Sequence, residues 1–159
     1  MRWVGAAIVA RKSFAPVAAL MAARHKVALV AVAAVLGACA RGIAPEPLPL
    51  DRYNCARCGM MISRIADAAQ YVSSREETRF YDDLGCAAAD AGRVPIQGRF
   101  FVRADGGSRW IAAGEAFYAK TGDRSPMGYG YFAFSTEAQA VARDANGRAL
   151  QWSDVGGGK

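Results

Sequence analysis

Histidine occurs once in the 159 residues, at position 25, and that scarcity excludes a good deal. A Ser–His–Asp triad needs an imidazole beside its nucleophile, and His25 stands in a segment that reads as a removable leader. The chain beyond it has no imidazole for general base catalysis or for a histidine-rich zinc site. Acidic residues are missing before Glu46, whereas Arg2, Arg11, Lys12, Arg24 and Lys26 all precede residue 39. The formal charge of +6 is therefore gathered at one end. The other 15 basic residues face 14 acidic ones, which removes the electrostatic case for a nucleic-acid surface. Long apolar runs are lacking too. Val27–Leu36 is ten residues without a charge, against the roughly 20 that a membrane-spanning helix needs. No Gly-rich phosphate loop and no nucleophile elbow occurs, so the expectation is that the protein is not an enzyme.

What the first 38 residues do contain is a basic stretch, Arg24-His25-Lys26, then the short apolar run, then Leu36-Gly37-Ala38-Cys39. That order is the order of a secretory leader. Leu-Gly-Ala-Cys resembles the bacterial lipobox, whose cysteine becomes the attachment point for lipid, here Cys39. Residues 1–38 are thus expected to be a lipoprotein signal peptide. A start at Met21 would leave a compact basic cap, Met-Ala-Ala-Arg-His-Lys, ahead of the apolar run. Residues 39–50, with Pro45, Pro47 and Pro49, read as an extended tether. The folded unit is expected over 51–154, and 155–159, with three consecutive glycines, as a flexible tail. Ala40 rather than Asp after the lipid cysteine favours the outer membrane, by resemblance to lipoprotein sorting. The location expected is the periplasm-facing side of a bacterial envelope.

Within 51–154 two stretches look alike. Arg79-Phe80-Tyr81 leads into Asp82-Asp83 and a helical run from Leu84 to Ala91, closed by Gly92. Tyr131–Phe134 leads into Ser135-Thr136-Glu137 and a run from Ala138 to Asn146, closed by Gly147. Asp82-Asp83 is a helix N-cap signal, and Ser135-Thr136-Glu137 stands at the matching place before the second run. Strands are expected at 61–65, 71–73 and 99–103 in the first half, and at 110–112, 116–119 and 149–152 in the second. The expectation is an α+β fold of two small related ββαβ halves with antiparallel sheets, because the short connections leave little room for parallel crossovers. Cys58-Gly59-Met60 and Pro126-Met127-Gly128 then occupy matching turns. The alternating aromatics Tyr129, Tyr131, Phe132 and Phe134 fit a strand with one face in a core.

Once Cys39 carries lipid, the thiols left are Cys55, Cys58 and Cys86. Haem attachment through C-x-x-C-H is excluded because Gly59 follows Cys58. A closed structural zinc site needs four Cys or His ligands and is hard to assemble. The segment Cys55-Ala56-Arg57-Cys58-Gly59-Met60-Met61 puts two thiols and two thioethers within seven residues, with Met127 available from a distant turn. Thiolate and thioether are soft ligands, and such sets select Cu(I). One thiolate with neutral thioethers around a monovalent ion sums to no net charge, which limits the cost of burying it. The alternatives are a structural disulfide between Cys55 and Cys58 or a thiol–disulfide redox lipoprotein using that pair. Thioredoxin-like catalysis, however, places C-x-x-C at a helix start, and Gly59 with the run after it does not suit that placement. Arg57 and Arg64 are close enough in sequence to lower a thiol pKa, which would serve metal binding and redox chemistry alike. Met127 can be read as a core filler, although a turn between Pro126 and Gly128 argues against deep burial. Cys86 reads as a small buried apolar residue that could approach the other thiols, and it is left out of the expected ligand set.

Four segments in order, Cys55–Ile62, Phe80–Cys86, Glu115–Tyr118 and Ser125–Gly128, resemble the NosL family over roughly residues 50–145. These are lipid-anchored copper chaperones for nitrous oxide reductase. The resemblance implies Cu(I) held by the Cys58 thiolate and the Met127 thioether, with Met60 or Cys55 as further donors. It also implies paired ββαβ halves, and partners in the apo-reductase and a membrane transporter complex of the same system.

Overall fold

Alternating apolar residues and paired strand-and-helix signals resolve into one sheet with two helices. The computed structural model describes residues 42–156. Its strands are β1 (Ala69–Ser73), β2 (Arg79–Tyr81), β3 (Gly98–Ala104), β4 (Arg109–Ala112), β5 (Phe117–Lys120) and β6 (Tyr131–Phe134). The helices are α1 (Leu84–Asp90) and α2 (Glu137–Arg143). Strand order is β2-β1-β3-β6-β5, with β4 also paired to β3. The mixed α+β content agrees with the expectation.

The arrangement of the strands departs from it. All six lie in one sheet, and β3 meets β6 in parallel, with Ala104 opposite Ala133. The connection from β3 to β6 runs through β4 and β5, which is long enough to bring the chain round to a parallel neighbour. The other pairings are antiparallel. Two expected strands reduce to single bridges, Asn54 with Met61 and Tyr118 with Leu150. At the second, the chain turns at once into a 3₁₀ turn over Trp152–Asp154, closed by a reciprocal Gln151–Asp154 cap. Trp152 still packs, 5.5 Å from the Phe100 ring and 5.7 Å from that of Tyr118.

Both helices begin where a side-chain acceptor is available. Asp83 Oδ1 accepts from Gly85 N, and Thr136 Oγ1 accepts from Gln139 N, each satisfying an amide left unpaired by the first turn. Helix α1 packs on β1, β2 and β6, and α2 on β5 and β6. The core is built from Ile62, Tyr71, Tyr81, Leu84, Val102 and Tyr118, all fully buried. Tyr131 and Ala133 face inward along β6 while Phe132 and Phe134 are half-buried, the period-2 pattern of a strand.

The folded unit starts earlier and runs later than residues 51–154. Its compact boundary falls at Ile43. Gln70 is fully buried in β1 and reaches the backbone of the Pro-rich stretch twice: Glu46 N donates to Gln70 Oε1 at 2.9 Å, and Gln70 Nε2 donates to the Glu46 carbonyl at 3.1 Å. Ile43 packs against Val72 and Phe101, and Leu48 is buried. Val155 likewise joins the core. The signal peptide and Cys39 lie outside the described residues.

Asp144 closes the end of α2. Its carboxyl accepts from the backbone of Lys120 at 2.9 Å, of Asn146 at 2.9 Å and of Arg148 at 3.2 Å. These bonds, that from Lys120 foremost, hold its pKa below the ordinary carboxylate range. A depressed folded-state pKa contributes stability that is full above the unfolded value, about 3.9, and is lost as pH falls through the folded one. Asp144→Asn is therefore expected to melt lower than the wild type at pH 7, with the difference narrowing below about pH 4. Melting temperatures of both proteins from pH 2.5 to 7 check this, and a constant difference would count against it.

Candidate metal site

Residues 51–62 fold back on themselves and carry the C-x-x-C segment at the tip. Asp51 N donates to the Ile62 carbonyl and Ile62 N to that of Tyr53, both at 2.9 Å, and Asn54 bridges Met61. The tip closes where Cys55 N donates to the Met60 carbonyl at 2.7 Å and Gly59 N to that of Cys55 at 2.9 Å. Gly59 has a φ of +77°, a left-handed conformation that costs a residue without a Cβ little. Gly128, at the expected matching turn, has a φ of +71°. The tip is fastened to the sheet by a bond from Ala56 N to the Phe80 carbonyl at 2.8 Å and by the rings of Tyr53 and Phe80, 4.6 Å apart. The C-x-x-C pair thus sits on a turn and not at a helix start.

Helix α1 supplies the third sulfur. Cys86 is its third residue, and the N-cap at Asp83 fixes where the first turn begins. The sulfurs of Cys55, Cys58 and Cys86 all lie within 4.8 Å of one another, a group able to hold a metal ion. All three are free thiols. Cys55 and Cys86 are 2% and 1% exposed, whereas Cys58 is half-buried. Cys86 is buried as the sequence suggests, but it belongs with the other two thiols. No spacing rule predicts that, because its approach depends on how α1 packs beneath the 55–58 turn.

Met127 comes to the same place. Cys58, Cys86 and Met127 line one cleft of about 370 Å³, together with Arg57, Asp90 and Arg93. Met127 is 36% exposed, as its turn setting suggests. Met60 and Met61 are more exposed, at 40% and 55%, and neither lines that cleft. Met60 acts on the thiols through its backbone instead, its N–H facing the Cys58 sulfur.

The charge state of the group is set from within. Cys55 is held well below the ordinary thiol range, first by the Cys86 S–H and then by the backbone N–H groups of Asp82, Cys58 and Arg57, against the opposing effect of burial. Cys86 is pushed up by giving that hydrogen bond and by burial. Burial, more than the nearby Cys55, pushes Cys58 up. The cluster is thus arranged to carry its first negative charge on Cys55. Burial also raises the Asp82 carboxyl, to about 6, with the Cys55 charge adding to the effect.

The arginines are engaged elsewhere. Arg57 Nη1 donates to the Ala89 carbonyl and lies 3.9 Å from Asp90, while Arg64 pairs with Asp67 at 2.8 Å. Arg57 acts on Cys55 through its backbone N–H, while each guanidinium is held by a carboxylate or carbonyl of its own. No protein-family model matches this chain, and no curated protein does.

The three sulfur atoms are soft donors, able to hold a metal ion. A single anionic sulfur balances a +1 charge, so the ion and its first thiolate enter a half-buried site together without net charge.

Proposed function

We propose that this protein is a copper(I) carrier of the bacterial cell envelope, anchored by lipid at Cys39 and facing the periplasm. The observation that carries the reading is the convergence of three thiols within 4.8 Å of one another, two of which, Cys58 and Cys86, line a cleft together with Met127. No histidine is present among residues 42–156 to draw a harder ion. Cys55, Cys58 and Cys86 supply thiol sulfur, and Met127 the thioether. Met60 stands beside them as a more exposed donor for entry or exit. Transfer proceeds by ligand exchange, an incoming soft donor displacing the thioether first, because thioether is the weakest donor of the set.

The resemblance to NosL supports the cargo and names the recipient, the apo form of nitrous oxide reductase, served together with a membrane transporter complex. On this reading the two strand-and-helix units around α1 and α2 are the related ββαβ halves of that family, their edges merged into one sheet.

Anaerobically reduced protein is expected to take up one Cu(I) per chain, and X-ray absorption at the copper edge to show sulfur neighbours alone, three or four in number. Nitrogen or oxygen neighbours, or preferential zinc uptake, would overturn the copper reading. Absence of copper uptake together with thiol–disulfide exchange activity would favour the redox alternative at Cys55 and Cys58.

A further inference from the structure

Asp83 is fully buried, and its two oxygens serve different parts of the chain. Oδ1 accepts from Gly85 N at 2.8 Å and caps α1, whose first turn carries Cys86. Oδ2 accepts from Ser125 Oγ at 2.6 Å and from Met127 N at 2.9 Å. The second pair of bonds crosses more than 40 positions of sequence. Ser125 extends the connection: its hydroxyl accepts from Gly130 N at 2.9 Å, and its carbonyl accepts from Gly128 N at 3.0 Å. The loop that bears Met127 is therefore suspended from the residue that begins the helix bearing Cys86.

Capping a helix accounts for only half of this. An N-cap needs one side-chain acceptor, and serine, threonine or asparagine would supply it. Every bond of the other oxygen goes to the 125–127 segment. A methionine side chain loses considerable rotamer freedom when it is held in place. Fixing its backbone beforehand reduces what must be ordered when a ligand binds. The loop is also held over α1 by contact, for the Tyr129 ring lies against Gly85.

From this geometry we infer that Asp83 is a positioning residue of the metal site: it holds the Met127 loop at the cleft that Cys58 and Cys86 line, while fixing Cys86 through the helix cap. The inference rests on the copper(I) reading above. Residues that orient metal ligands through hydrogen bonds commonly contribute 10–100-fold in affinity, so loss of this connection should be visible in binding.

The test uses the protein with ¹³C in its methionine methyl groups, titrated anaerobically with Cu(I). The Met127 resonance is assigned with Met127→Leu. In the wild type that resonance is expected to shift on copper addition. Asp83→Asn keeps an oxygen for Gly85 N but turns an NH₂ toward Ser125 Oγ and Met127 N, which removes the acceptor for the Ser125 hydroxyl and sets donor against donor at the Met127 amide. Its Met127 resonance is expected to stay unmoved by copper and its affinity to fall about 10–100-fold, while ultraviolet thiolate-to-copper absorption persists. Ser125→Ala leaves the α1 cap intact and is expected to reproduce the effect in smaller degree; it decides the matter should Asp83→Asn not fold. A lowered melting temperature with the Met127 shift and affinity unchanged would make Asp83 purely structural and overturn the inference. Wild-type protein that takes up no Cu(I), or takes it up without moving Met127, overturns the copper or the thioether part of the earlier reading, and this inference with it. The two failures are told apart because one appears in the wild type and the other only in the variants.

Discussion

Cys55→Ser is expected to lower copper(I) affinity by at least about a hundredfold, the upper end of what residues behind a ligand contribute. The hydroxyl is a hard donor that stays neutral throughout the physiological range, so the substitution removes both softness and charge. The position matters because the Cys86 S–H and three backbone N–H groups make the Cys55 sulfur the place where the first negative charge rests. In the variant the upward push that Cys55 exerts on Cys58 and Cys86 is gone, but burial still opposes their ionisation, so a thiol must be deprotonated against its surroundings before it can bind. Met60→Leu provides the contrast. Its side chain is exposed and lines no part of the cleft with Cys58, Cys86 and Met127, and the affinity is expected to stay within about twofold, too little to register as loss of a ligand. Competition against a chromogenic copper(I) chelator measures both. Equal affinity in Cys55→Ser and the wild type would remove Cys55 from the donor set.

Gly85→Ala should produce the largest change in stability. On helix propensity alone the substitution would help by about 1 kcal/mol. In place, the new Cβ would come within 2.0 Å of Tyr129 Cγ, an atom near the backbone that cannot swing aside. Either α1 moves or the 125–130 loop lifts. Overpacking of this kind costs about 1–3 kcal/mol, equivalent to a fall of roughly 5–15 °C in melting temperature for a domain of this size. Since the displaced loop carries Met127, copper affinity should fall as well. Adding Tyr129→Ala removes the obstructing ring and should recover part of the thermal loss, which separates steric conflict from a general effect of the alanine. A Gly85→Ala protein as stable as the wild type would show that the loop does not press on α1.

Much of this fold is written in local chemistry. Asp83 and Thr136 announce two helices because a short side-chain acceptor ahead of an apolar run satisfies free amides. Gly59 and Gly128 announce turns that carry a sulfur residue. What could not be read locally depends on contacts distant in sequence. The side chain of Gln70 looks like an ordinary strand residue until it is seen gripping Glu46 and drawing the Pro-rich stretch onto the sheet. The parallel neighbour of β3 arrives after two intervening strands. Cys86 looks like a small core residue, and by burial it is one; its place among the thiols follows from the packing of α1 beneath a turn some 30 residues earlier. Asp83 is legible as a cap through one oxygen only, since the partners of the other lie in a loop more than 40 residues away.

Helix α1 has an aspartate at each end. Asp83 bears the Met127 loop, while Asp90 accepts from the Tyr81 hydroxyl at 2.9 Å and lies 3.9 Å from Arg57 of the C-x-x-C turn. The seven-residue rod is thus the keel to which both sulfur-bearing banks are moored. Whatever shifts that rod carries thiols and thioether with it in one stroke.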